Sequence, residues 1–454
     1  MTMQPQQQAE LRSTLRYESW CAWLAAVGLT IAAVWPAAAA ATAVVSFALF
    51  ASVLSRYRLR VLTNVAFLFL AITLMIVVTG TNLWTASVAA MGLKTTALHA
   101  IDSYTRAWSI QYVSMAIDAI AIGACCVQMR RHRLVKADFI LRKPIQLPSI
   151  YLTAAFLPLL LSLVLFATRL RGLGYEGIQA VSQGSYKPVI LLVLLTHAAF
   201  LRLFGGWASL GRTSRLFFGM AICLFLFIYV FLLSTRTNIF VFGMYLYYFY
   251  GWRIRWKTKM AAAAVLLALF SWIANYRSIS YGGLEVTGIE GIAEGASIGP
   301  EFMLDMVHWA YEGVQEKGPT WGLTSLVAAV SRQNPADTYV QQKLPSYADA
   351  GGGFGFFYVA ELVMDFGYVG GLVAAVLLGY ALQKVSTMES EMARLTVLPA
   401  LLGFSFPLLR NVFLMTLKSP LYVVVFCIVL DRIAHYGCRL REHIEVAAMT
   451  AVAE

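Results

Sequence analysis

Charge is scarce in this 454-residue sequence: Asp, Glu, Lys and Arg together make up 13%, against about 25% in soluble domains. A chain of solvated domains is excluded as the main architecture. Acid is scarcer than base, leaving a formal charge of +12. On a soluble protein that excess would point to nucleic acid, but here the basic residues form short clusters between apolar blocks, so no nucleic-acid partner is expected. The six cysteines, Cys21, Cys125, Cys126, Cys223, Cys427 and Cys438, all avoid the long polar stretch at 276–357, which excludes a disulfide framework there. No Asp-x-Asp pair lies between the apolar blocks and no His/Cys cluster has metal-ligand spacing, so no metal and no cofactor is expected. No Gly-rich loop runs into Lys-Ser/Thr, which excludes the common nucleotide cradle. An internal repeat is missing too, which weighs against transporters built from paired halves.

What the sequence has is apolar runs, within a composition that is 59% hydrophobic. They are about 20 residues long, the length a helix needs to cross a bilayer, and they do not alternate as barrel strands do. The fold class expected is all-α: one polytopic transmembrane domain over 1–454 with about twelve spans. These are Trp20–Trp35, Ala37–Leu54, Val61–Gly80, Ala107–Gln128, Ser149–Thr168, Pro188–Phe204, Leu216–Ser234, Thr237–Trp252, Met260–Ala274, Phe366–Gln383, Leu395–Leu409 and Leu421–Asp431. The first two read as short helices hinged at Pro36, rather than as a cleaved leader. With both termini in the cytoplasm, every cytoplasmic turn is enriched in Lys and Arg, most strongly Met129–Lys143 and Arg253–Lys259. That orientation puts one large loop, residues 276–357, outside. It reads as helical: an amphipathic helix over Pro300–Glu316 with an apolar stripe of Phe302, Leu304, Val307, Tyr311 and Val314, then a short helix over Trp321–Val330.

The residues that could do chemistry cluster at the outer boundary. Arg236, between spans with almost no loop, and Arg277, just after span nine, lie at that depth; Arg332 is in the large loop, and Arg410 interrupts the apolar run of span eleven. Between Ser278 and Ala350 there are nine acids against Lys317, Arg332 and Lys343, so these arginines do not serve general solubility. Arginine grips phosphate through a planar fork and stays charged in a poorly hydrated site. The set suits a lipid-linked pyrophosphate; the plain alternative is that each snorkels to headgroups or pairs with a loop acid. Among the acids, Glu361 and Asp365 are four apart on one helical face just past the Gly351–Gly353 run. Glu361 is the first candidate for a general base, or else a cap or arginine partner. His308 and Glu301 are the second candidates; with Asp305 and Glu312 they share a face that is otherwise a solvated polar one. Asp118, inside span four, reads as a partner for a neighbouring helix.

Ser234-Thr235-Arg236-Thr237 resembles the Ser-Arg-Thr signature of Wzy-type oligosaccharide repeat-unit (O-antigen) polymerases. Gly351–Phe356 followed by Ala360-Glu361, Asp365-Phe366-Gly367 and Gly370 resembles their Gly-rich, Ala-Glu, Asn-Phe-Gly segment, with Asp365 standing where Asn is expected. Leu409-Arg410-Asn411, with Lys418–Tyr422 downstream, resembles the arginine motif of their penultimate span. Val330-Ser331-Arg332 resembles a Pro-Arg element with Ser in place of Pro.

The resemblance implies a membrane-embedded, GT-C-like, metal-independent glycosyltransferase of the bacterial inner membrane with a periplasmic active site. It implies an undecaprenyl-type polyprenyl-pyrophosphate-linked oligosaccharide as substrate, and a flippase and a chain-length co-polymerase as partners. In that scheme Arg236, Arg277, Arg332 and Arg410 hold pyrophosphate, and Glu361, His308 or Glu301 serves as base. An O-antigen ligase would share the donor chemistry and differ in its acceptor. A flippase or transporter of the lipid-linked oligosaccharide would instead carry charge at mid-span.

Overall fold

The computed structural model describes residues 5–56, 63–80, 103–127, 211–228, 236–250, 289–331, 356–388, 396–410 and 416–425, with shorter pieces at 157–169, 254–265, 412–413, 428–429 and 432. Among the described residues the regular structure is helical, without strands. The helices are α1 (Pro5–Val34), α2 (Ala39–Arg56), α3 (Val65–Gly80), α4 (Ser103–Cys125), α5 (Arg212–Phe227), α6 (Arg236–Tyr250), α7 (Ile289–Lys317), α8 (Leu323–Ser331), α9 (Tyr358–Ser386), α10 (Leu398–Gly403) and α11 (Ser405–Arg410). Among the described residues, four stretches are long and apolar enough to cross a membrane: Tyr17–Val34, Pro36–Arg56, Thr105–Cys125 and Tyr358–Ser386. Large apolar side chains stand exposed along them, among them Trp20, Trp23, Val45, Val373 and Leu377. Such a surface is stable against lipid, not water. The chain is a helical membrane protein.

The hinge expected at Pro36 is present. Helix α1 stops at Val34, Pro36–Ala38 form a single 3-10 turn, and α2 starts at Ala39. Helices α1, α2 and α4 pack together, and α9 lies along α4. The α4–α9 crossing is backbone against backbone. A Cβ at Gly123 of α4 would collide with the Val376 carbonyl oxygen, and one at Gly379 of α9 with the Ile120 carbonyl oxygen. Small residues allow this approach because lipid supplies no hydrophobic drive, leaving close van der Waals contact to hold helices together. Above the crossing, the Tyr112 hydroxyl donates to the Tyr368 carbonyl at 2.9 Å. At the other end of α9, Asn64 caps α3 by accepting the Phe67 N–H at 2.9 Å and donates to Gln383 at 2.9 Å. Asp118 meets Thr42 of α2, as a partner for a neighbouring helix, with Oδ2 3.0 Å from the threonine hydroxyl.

Several boundaries differ from the sequence reading, and helix α1, expected as a short helix from Trp20, already begins at Pro5. Helix α7 begins at Ile289, so Pro300 lies inside it and not at its start. A proline removes one backbone donor, and the turns on either side carry the helix through. Helix α9 begins at Tyr358, eight residues before the expected Phe366, because Gly367 bends the helix without ending it. Span eleven is two short helices, α10 and α11, meeting at Phe404. The spans expected at 188–204 and most of those at 149–168 and 260–274 lie outside the described residues.

Replacing Gly379 by Val should force α4 and α9 apart, at a cost of about 1–3 kcal/mol or more. The detergent-stable monodisperse fraction in size-exclusion chromatography is expected to fall sharply for Gly379→Val, while Val373→Ala, on the exposed face of the same helix, leaves it unchanged.

Candidate functional site

The site is built around the kink in α9. Gly367 has φ 72° and ψ −172°, a conformation open essentially to glycine alone. A bend there frees the carbonyls one turn earlier. The loop between α7 and α8 fills them: the Thr320 N–H donates to the Met364 carbonyl at 3.1 Å and the Trp321 N–H to the Asp365 carbonyl at 2.7 Å. The Asp365 side chain completes the joint. It is 3% exposed, and its two carboxylate oxygens accept the hydroxyls of Thr320 at 2.7 Å and Ser325 at 2.5 Å. Asp365 is therefore a clamp that fixes α8 to α9, and its geometry would also suit an Asn. An amide oxygen would accept one hydroxyl, and the other could rotate to accept from the amide nitrogen.

One turn earlier on α9, Glu361 is 5% exposed, and its Oε2 accepts the Phe413 N–H at 2.6 Å. Phe413 follows closely on Arg410, the last residue of α11. The acidic segment of α9 and the arginine segment after α11 are thus joined directly, although 52 positions separate Glu361 from Phe413. A buried carboxylate held in one orientation by a backbone donor, beside the chain segment that carries an arginine, can accept a proton from a substrate hydroxyl.

A third group lies between α4, α7 and α9. His308 Nε2 is 3.1 Å from Glu312 Oε1, and its buried Nδ1 has no partner among the described residues. The imidazole meets Trp108 edge-on, with ring centroids 6.0 Å apart. Trp108 in turn contacts Tyr311 at 4.4 Å, Tyr112 at 5.8 Å and Tyr368 at 6.2 Å. At Asp305 and His308 this helical face is turned into the protein and is not the solvated face expected from the sequence. Asp305 is buried and His308 half-buried, because α3, α4 and α9 pack against α7, while the Glu312 side chain, further along the same face, is 41% exposed.

Of the seven residues singled out from the sequence, Glu361 and His308 have described side chains. Arg236 begins α6, Glu301 lies within α7 and Arg410 ends α11, but their side chains fall outside the described residues, as do Arg277 and Arg332 altogether. Sequence reasoning missed Thr320, Ser325, Trp108, Tyr112 and Tyr368. The hydroxyl partners of Asp365 carried no signal, since Thr and Ser are ordinary in a turn and at a helix start. Tyr311 was visible only as a member of an apolar stripe.

Residues 319–434 match the family model described as O-antigen polysaccharide polymerase Wzy. The resemblance seen in the motifs is borne out. The Wzy match takes in about a quarter of the chain. It includes the Asp365 clamp, Glu361, Arg332 and Arg410, and it leaves out Arg236, Arg277, Glu301 and His308. No curated protein and no solved structure matches the chain.

The Asp365 clamp makes a specific expectation. Asp365→Asn should keep the melting temperature in detergent within a few degrees of wild type. Asp365→Leu leaves the buried Ser325 hydroxyl without its acceptor, takes the nearer acceptor from the half-buried Thr320 hydroxyl, and should destabilise by on the order of 2 kcal/mol. Differential scanning fluorimetry of the three proteins checks it, and an equal loss from both variants would show that charge, not hydrogen bonding, holds the joint.

Proposed function

We propose that the protein is a Wzy-type polysaccharide polymerase that transfers a growing glycan from a polyprenyl pyrophosphate to a new lipid-linked repeat unit at the periplasmic face of the bacterial inner membrane. The observation that carries this reading is the contact between Glu361 and the Phe413 backbone, which lies inside the region similar to Wzy polymerases and joins its acidic and arginine segments. In the reaction a hydroxyl of the acceptor sugar attacks the anomeric carbon of the donor glycan. The bond from that carbon to the pyrophosphate oxygen breaks, polyprenyl pyrophosphate leaves with the bonding pair, and the hydroxyl proton passes to a base.

Glu361 is our assignment for the base, with His308, oriented by Glu312, or Glu301 as the second choice. Arg410, Arg236, Arg277 and Arg332 would stabilise the charge that builds on the leaving phosphate. The activated donor supplies the driving force, and the arginines supply the positive charge a metal would otherwise bring; we assign the reaction no metal. The large loop at 276–357, with α7 and α8, would cover the sugars, and the half-buried faces of Trp108 and Tyr311 beside His308 offer flat apolar area for a pyranose ring. The remaining features of the proposal are about twelve spans, cytoplasmic termini, a GT-C-like architecture, and a flippase and chain-length co-polymerase as partners.

Glu361→Gln keeps an oxygen to accept the Phe413 N–H and removes the proton acceptor. With purified protein, a defined lipid-linked repeat unit and excess chelator, wild type should produce a ladder of chain lengths on a gel. The Gln variant should remain folded and lose about 10²-fold or more in rate. Arg410→Lys and Arg236→Lys should be nearly as damaging as the alanine variants, because lysine keeps charge but lacks the bidentate fork. A wild-type ladder from Glu361→Gln removes the base assignment, and wild-type ladders from both lysine variants remove the pyrophosphate assignment. Orientation has its own test: a single cysteine at Lys317 should react with a membrane-impermeant maleimide in spheroplasts, whereas one at Lys257 should react only after permeabilisation. The reverse pattern would overturn the periplasmic site.

A further inference from the structure

Helix α8 carries an apolar face that stands exposed and that no contact among the described residues covers. Leu323 is 62% exposed, Leu326 55% and Val330 78%, at helical spacing, and Trp321 just before them is 75% exposed. The opposite face is turned inward: Ser325 and Ala328 are each 2% exposed, and Ser325 is bonded to Asp365. The helix has nine residues and no charge, so at about 13 Å it is far too short to cross a bilayer. A water-exposed helix of this composition would be an aggregation liability.

Its position identifies what covers it. Beyond the kink, Tyr368–Ser386 is about 19 residues long and reaches close to 30 Å, the thickness of the hydrocarbon core by itself. Gly367 therefore sits at a membrane–water boundary. Helix α8 is pinned to this point by the bonds of Thr320 and Trp321 to the α9 carbonyls and of Ser325 to Asp365. Immediately past the kink, α9 exposes Val369, Val373, Leu377 and Tyr380 in a stripe along its length. The bare face of α8 and the exposed stripe of α9 thus both start from the joint beside Gly367. Tryptophan is the residue type that favours this depth.

The geometry points to α8 as an interfacial helix that lies on the bilayer, with Trp321, Leu323, Leu326 and Val330 inserted among the lipid headgroups and upper acyl chains. The Asp365 clamp transmits that depth to α9, so the bilayer surface itself holds the α7–α8 loop in register with the kink. The inference rests on α9 being a membrane span and does not depend on the polymerase reading.

Site-directed spin labelling tests it in the full-length protein. In a background with Cys126, Cys223, Cys427 and Cys438 changed to serine, single variants Leu326→Cys, Val330→Cys, Val373→Cys and Glu316→Cys are labelled with a nitroxide in nanodiscs of phosphatidylethanolamine and phosphatidylglycerol. Collision with oxygen, which concentrates in lipid, is compared with collision with a water-soluble nickel chelate. Positions 326 and 330 should resemble 373, with an oxygen-to-nickel ratio several-fold above that at 316. Labels at 326 and 330 that resemble 316 while 373 stays lipid-like would overturn the interfacial helix and leave the span intact. Labels at 326 and 330 shielded from both reagents would show that protein covers the face, and would overturn it as well. A water-like 373 would remove the span on which the inference rests.

Discussion

Where α4 and α9 cross, no side chain separates the two backbones: Gly123 faces the Val376 carbonyl and Gly379 faces the Ile120 carbonyl. In lipid this contact has to come from shape, since apolar side chains gain nothing by leaving an apolar solvent. The rest of the described structure hangs on it. Helices α1 and α2 complete a bundle with α4, α3 is tied to the far end of α9 through Asn64 and Gln383, and α7 is cradled by α3, α4 and α9. A rigid α9 is what allows its bend at Gly367 to have a defined direction.

That bend turns a continuous helix into a site. A straight α9 would satisfy its own carbonyls and offer the loop nothing. With Gly367 at φ 72° the Met364 and Asp365 carbonyls become acceptors, and the α7–α8 loop supplies the donors. Asp365 and Glu361, spaced to share a face, then do different work. One carboxylate is consumed by two hydroxyls in a joint, and the other is turned toward the segment that follows Arg410. The division agrees with reading Glu361 as the chemical residue and Asp365 as the residue that places it.

Much of this was legible beforehand, and the reasons are local. Runs of apolar residues long enough to cross a bilayer, a Pro36 hinge and an apolar stripe on α7 follow from hydropathy, backbone chemistry and the period of 3.6. The match over residues 319–434 falls where the Ala-Glu, Asp-Phe-Gly and Leu-Arg-Asn segments had drawn attention. The start of α9 was misplaced because a glycine within an apolar run signals a helix end as readily as a kink. The face of Asp305 and His308 was misjudged because polarity along one helix says nothing about which neighbours will enclose it.

By itself, the sequence determined that the chain is an α-helical membrane protein and that the stretches around 300–316 and 321–330 form helices. These are properties of a segment and its solvent, and a segment carries them wherever it packs. Tertiary structure alone decided that Glu361 meets Phe413, that Asp365 binds Thr320 and Ser325, that Trp108 meets His308 edge-on and that, among the described residues, α8 leaves its apolar face exposed. Each of these joins residues from separate helices. Their meeting depends on how closely α4 and α9 approach and on the angle at Gly367, which are set by packing across the whole bundle and have no local sequence code.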